Sequence, residues 1–116
     1  MDDVITISTQ QINEECSIIS LAGRFDAGTT NILKEVFSDV IGGNTRYVVI
    51  DMEQVSFIDS ASLSALVSAQ KQVQRVGGNL LLVGLQNQPR TLFSLTMLDQ
   101  IISIYPDRQA ALDSLK

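Results

Sequence analysis

Tyr47-Val48-Val49-Ile50 is a continuous run of aromatic and β-branched residues with no strongly polar member. A strand of that kind is apolar on both faces, so it belongs in the middle of a sheet covered on both sides. The segments around it have a different period. Between Thr29 or Thr30 and about Ile41, the residues Ile32, Leu33, Val36, Phe37, Val40 and Ile41 recur at helical spacing. Asp26 or Thr29 is placed to cap that helix, and Gly42-Gly43 stops it. From Ser60 to Val76, the residues Leu63, Leu66, Val67, Gln70 and Val73 trace one helical face, and Gly77-Gly78 ends it. Leu80 to Val83 is a second buried strand. Strand, helix and strand alternate here, the pattern of a parallel sheet with crossover helices.

The rest of the chain extends this pattern at both ends. Val4, Ile5 and Ile7 open a first strand, and Cys16 to Leu21 forms a second, with Ile18, Ile19 and Leu21 as its apolar members. Asn13-Glu14-Glu15 is the hairpin turn between them, and Gly23 ends the second strand. Val55-Ser56-Phe57-Ile58 leads into Asp59. Arg90 to Leu98 reads as a third helix, with Pro89 in a favourable starting position. Ile101 to Ile104 is a short strand, and Pro106 opens a last helix carrying Ala110, Ala111, Leu112 and Leu115. The expected order is β-β-α-β-α-β-α-β-α. It describes one α/β domain over residues 1–116, a mixed four- to five-stranded sheet with about four helices packed on it. No linker, repeat or low-complexity stretch divides it.

Composition narrows the function. Hydrophobic residues make up 45% and charged ones 18% of 116 residues, which suits a soluble globular domain. The net charge is −5 and the eight basic residues are scattered, which argues against a nucleic-acid footprint. No apolar run approaches the roughly 20 residues that span a bilayer. The start Met1-Asp2-Asp3 lacks a basic, apolar signal pattern, so a cytoplasmic protein is expected. There is no histidine, which removes imidazole bases, Ser-His-Asp triads and the commonest transition-metal ligand. No Gly-rich loop with a lysine cradles phosphates, and the single cysteine, Cys16, reads as a buried thiol. The expectation is a non-enzyme without metal or cofactor.

Phe57-Ile58-Asp59-Ser60-Ala61-Ser62-Leu63 is where polar side chains crowd between two apolar elements. Asp59 or Ser60 is placed as the helix N-cap, its side-chain oxygen accepting from a backbone N–H that has no helical partner. A helix N-terminus also carries partial positive charge and tolerates a phosphate on a nearby serine. Phosphorylation of Ser60 would add about −1.5 to −2 charge beside Asp59 and near Asp26. That cluster would repel an acidic partner surface. Ala61, Ser64, Ala65 and Ser68 follow at i, i+3, i+4 and i+7, a second helix face of small residues that another backbone could approach closely.

The segment around Asp59 resembles the STAS domain of bacterial anti-sigma factor antagonists. That family carries Asp-Ser-Ser/Thr-Gly-Leu after a Phe/Tyr-hydrophobic pair, matched here by Phe57-Ile58-Asp59-Ser60 and Leu63. Gly23-Arg24-Phe25-Asp26 is similar to the family's Gly-Glu-hydrophobic-Asp. Val49-Ile50-Asp51-Met52 with Val55, Gly77-Gly78-Asn79-Leu80, and Leu92-Phe93 with Leu98 and Ile101-Ile102 extend the likeness over nearly the whole chain. The resemblance implies a STAS-type domain acting in transcription regulation by partner switching. When unphosphorylated it would bind an anti-sigma factor that is itself a serine kinase. It would release that factor once Ser60 is phosphorylated, and a Ser/Thr phosphatase would restore it. Asp26, Asp59, Ser60, Ala61, Ser62, Ser64, Ala65 and Ser68 form the expected partner surface of a monomer or weak dimer.

The sequence departs from the family at three places. Ala61 stands where Ser or Thr is usual, and Ser62 where Gly is usual, which adds bulk near the kinase target and offers an alternative phosphosite. Arg24 replaces an acidic residue and is placed to pair with a phosphate or with Asp26. The competing expectation is a constitutive STAS scaffold or transporter-associated module that never cycles through phosphate. Nucleotide or small-molecule binding ranks behind both.

Overall fold

The computed structural model describes residues 5–116. Val4, the expected opening of the first strand, lies outside the described residues. Strands β1 (Ile5–Asn13) and β2 (Cys16–Gly23) form the antiparallel hairpin, with Asn13 opposite Cys16 across the turn. There follow α1 (Thr30–Val40), β3 (Tyr47–Gln54), α2 (Ser60–Arg75), β4 (Asn79–Val83) and α3 (Asn87–Leu95). A single 3₁₀ turn at Leu98–Gln100, β5 (Ser103–Tyr105) and α4 (Arg108–Ser114) complete the chain. The sheet order is β1-β2-β3-β4-β5, parallel from β2 onward. Among the described residues this is a mixed five-stranded sheet with four helices, within the four to five strands and about four helices expected.

Each crossover from β2 to β5 moves to the next strand in the same direction. Right-handed crossovers that all step one way leave their helices on one face of the sheet. Val48, Ile50, Met52, Leu80 and Leu82 point to that face and pack with Leu33 and Phe37 of α1, Leu66 of α2 and Phe93 of α3. The alternate residues Val49, Leu81 and Val83 point the other way, where α4 covers them with Ala111 and Leu112. Cys16 belongs to this smaller cluster, and burial pushes its thiol pKa up, away from reactivity.

Several boundaries differ from the sequence pattern, each for a local reason. The central strand runs past its apolar stretch because buried Asp51 is paired: its carboxylate accepts from Arg108 Nε at 2.7 Å, while the same guanidinium donates to Ser20. Helix α3 begins at Asn87 rather than Arg90, with Pro89 inside its first turn, where a backbone N–H has no helical acceptor to lose. It ends at Leu95, not Leu98. The last strand is displaced toward Tyr105, leaving Ile101 exposed and Ile102 in the core. Helix α4 starts after Asp107, whose side chain accepts from Ala110 N–H.

Two features lock α2 to the sheet. Gln70 is buried on the apolar face, and its amide is satisfied by Leu80 N–H and Asn79 Oδ1 at 2.9 and 3.0 Å. At the helix exit, a Cβ on Gly78 would fall 1.6 Å from the Arg46 carbonyl oxygen. Only glycine allows the chain to pass Arg46, the residue before β3, that closely on its way into β4.

Candidate functional site: the start of helix α2

The segment from Val55 to Ile58 leaves the C-terminal end of β3 and is fixed from two sides. Ile58 forms an isolated parallel bridge with Phe25, which brings the loop after β2 alongside. The Gln88 side chain grips the same residue, its Oε1 accepting from Ile58 N–H at 2.9 Å and its Nε2 donating to Ile58 C=O at 3.0 Å. Nothing in the sequence marks Gln88 for this role. A glutamine in a helix's first turn carries no signal that its amide will pair with a backbone 30 residues away.

Of the two candidate caps for α2, the structure selects Asp59. Its backbone is extended, and its Oδ1 accepts from Ser62 N–H at 2.9 Å. Ser62 Oγ faces back toward the Asp59 N–H and completes a capping box. The second carboxylate oxygen accepts from Ala27 N–H at 3.0 Å. One aspartate thus starts the helix and holds the neighbouring loop. The Ser62 N–H, with further help from the Ala27 N–H and the Ser62 hydroxyl, holds the Asp59 carboxyl below its usual pKa against the opposing effect of desolvation.

That direction fixes a pH effect. A carboxylate whose pKa is lowered by folding stabilises the fold above the ordinary value near 3.9, and the contribution is lost as pH falls through the lower folded value. Asp59→Asn should therefore lower the melting temperature more at pH 6–7 than at pH 3. Melting curves at the two pH values measure it, and an equal deficit at both would contradict the account.

Neither Asp26 nor Thr29 caps α1 through its side chain. Thr29 occupies the N-cap position, but its hydroxyl donates to Arg24 C=O and accepts from Asp26 N–H. Asp26 uses Oδ1 to accept from Gly28 N–H, and its backbone carbonyl receives the N–H groups of Thr29 and Thr30. Both are spent on stiffening the 24–29 loop. Arg24 pairs with Asp26, donating from Nε and Nη2 to one carboxylate oxygen.

Ser60 is the first residue of α2 and is exposed. Ser62 is the opposite case: it is fully buried, its hydroxyl hydrogen-bonded to Phe25 C=O and to Asp59. A phosphate has no room there unless the helix start opens, and the side chain is turned away from any approaching kinase. The expectation of Ser62 as alternative phosphosite and surface obstacle is corrected accordingly. The small-residue face also divides. Ser64 and Ser68 are exposed and Ala61 is half-buried, but Ala65 is only 4% exposed. Ala65 and Ala69 belong to the core cluster with Leu33 and Phe37 of α1, and the four residues line a groove of about 330 Å³ between α1 and α2. Phe57, beside the site, is 60% exposed and forms one wall of a cleft of about 110 Å³ with Arg24, Phe25 and Asp26.

A parallel sheet with one antiparallel edge strand, three helices on one face, one on the other, and a capped helix presenting a serine defines a small α/β domain built around an exposed loop surface. The chain belongs to the STAS domain family, whose model matches residues 8–111. It is 31% identical over 100 residues to the anti-sigma-B factor antagonist of Listeria monocytogenes, covering 86% of this chain and 88% of the relative. The crystal structure of an anti-sigma factor antagonist from Mycobacterium paratuberculosis superposes with a TM-score of 0.87 at 25% identity, covering 98% and 96% of the two chains. The Bacillus cell fate determinant SpoIIAA in its phosphorylated form shares the fold, with a TM-score of 0.75 at 18% identity over 96% of this chain and all of that one.

Proposed function

We propose that this chain is an anti-sigma factor antagonist switched by phosphorylation of Ser60. The observation that carries the proposal is the contrast at the start of α2: Ser60 points to solvent while Asp59 and Ser62 are engaged in holding the helix and loop. A phosphate can be added there without dismantling a contact of the fold. The unphosphorylated surface, comprising Asp26, Asp59, Ser60, Ala61, Ser64 and Ser68 with Phe57 beside them, docks an anti-sigma factor that is also a serine kinase. Transfer of phosphate to the Ser60 hydroxyl adds about −1.5 to −2 charge to a patch already carrying Asp26 and Asp59. The partner leaves because the surface potential has changed, not because the fold has. A Ser/Thr phosphatase resets the protein, and the cycle operates in the bacterial cytoplasm. The chain itself acts by binding rather than catalysis.

The test is intact-mass spectrometry after incubation with ATP and a kinase-type anti-sigma factor from the same genome. The parent chain should gain one phosphate and Ser60→Ala none. An unshifted parent would favour a constitutive scaffold.

A further inference from the structure

The switch surface contains a cation. Arg24 lines the cleft beside Phe57 and is the basic member among the described residues that form it. Its guanidinium is half-exposed and donates from two nitrogens to one oxygen of Asp26. Asp26 and Arg24 sit on a loop joined to the start of α2 by three contacts: the Phe25–Ile58 bridge, the Ser62 hydroxyl on Phe25 C=O, and Ala27 N–H on Asp59. The backbone that carries Arg24 is therefore held against residues 58–62, the stretch that includes Ser60. A half-exposed guanidinium on a long stem can change acceptor by rotating its side chain, without moving the loop backbone. A phosphate dianion is the stronger acceptor and offers three oxygens to the same planar fork.

Resting on the reading of Ser60 as the phosphorylated residue, we propose that Arg24 turns from Asp26 to the Ser60 phosphate and acts as an internal clamp on the modified form. The unmodified cluster of Arg24, Asp26, Asp59 and Ser60 carries a formal charge of −1. Phosphorylation takes it to about −2.5 to −3. Arg24 is placed to relieve part of that repulsion. It positions the phosphate group and takes no part in its transfer.

The test uses the full chain with phosphoserine encoded at position 60, so that no kinase is needed. The second ionisation of the phosphate is titrated by phosphorus NMR in the parent, Arg24→Gln and Arg24→Lys. An opposing charge in contact favours the dianion, so the parent should titrate about 0.5 unit or more below Arg24→Gln. Arg24→Lys should fall between them, and the gap should narrow in about 1 M salt. Equal titration of parent and Arg24→Gln would overturn the clamp. This readout is independent of partner binding: if phosphorylated and unmodified chains bound the anti-sigma factor equally, the switch would fail while the titration still decided the role of Arg24.

Discussion

Ser60→Asp is expected to weaken binding to the anti-sigma factor by about 10- to 100-fold, while Ser60→Ala binds like the parent. Ser60 opens α2 and is exposed, so either substitution leaves the capping box of Asp59 and Ser62 in place. The effect of aspartate is then one of charge alone. On the proposed function, a third carboxylate beside Asp26 and Asp59 would face the docked partner across a partly desolvated interface. Under such conditions, charge pairs a few ångströms apart interact by a few kcal/mol at most. A tenfold loss needs about 1.4 kcal/mol, well within that range. Aspartate carries less charge than phosphate, so it should reproduce the direction and only part of the size. Isothermal titration of both variants with the partner measures it. If both variants bound as the parent does, the switch would lie elsewhere.

Ser62→Ala should destabilise the fold by about 2–3 kcal/mol. The hydroxyl is fully buried, and removing it strips the Phe25 carbonyl of a donor in a place water does not reach. It also breaks the reciprocal half of the capping box. For a domain of this size the loss corresponds to a fall in melting temperature of about 10 °C. Ser62→Gly should cost at least as much, because glycine adds backbone entropy to the same loss. Thermal or urea unfolding checks both. A change below about 0.5 kcal/mol in Ser62→Ala would mean that the hydroxyl does not tie the helix to the loop. Ser62 serves here as an internal fastening between helix and loop.

Much of the architecture was legible from period alone. The apolar run 47–50, the helical spacing of Leu63, Leu66, Gln70 and Val73, and the Gly77-Gly78 stop all correspond to observed elements. Boundaries were less legible wherever polar pairing extended an element, as at Asp51, whose partner Arg108 is 57 residues away. At the site, Asp59 and Ser60 could be recognised as a helix start, but their roles could not be separated. Both are small and polar, and only the fold shows one turned to Ala27 and Ser62 and the other to solvent. The same limit hid the burial of Ser62 and Ala65. Helical spacing puts Ala65 on a common face with Ser64 and Ser68, and says nothing of α1 packing along its edge. Gln88 and the stiffening role of Thr29 depend on backbone atoms of other segments, which no local pattern announces.

The most direct measurement is the affinity of the anti-sigma factor for two forms of the full chain, one unmodified and one carrying phosphoserine at position 60. The account predicts tight binding of the first and a loss of at least about 100-fold in the second, larger than that of Ser60→Asp, with unchanged circular dichroism in both. Equal affinity of the two forms would contradict a phosphorylation switch at Ser60.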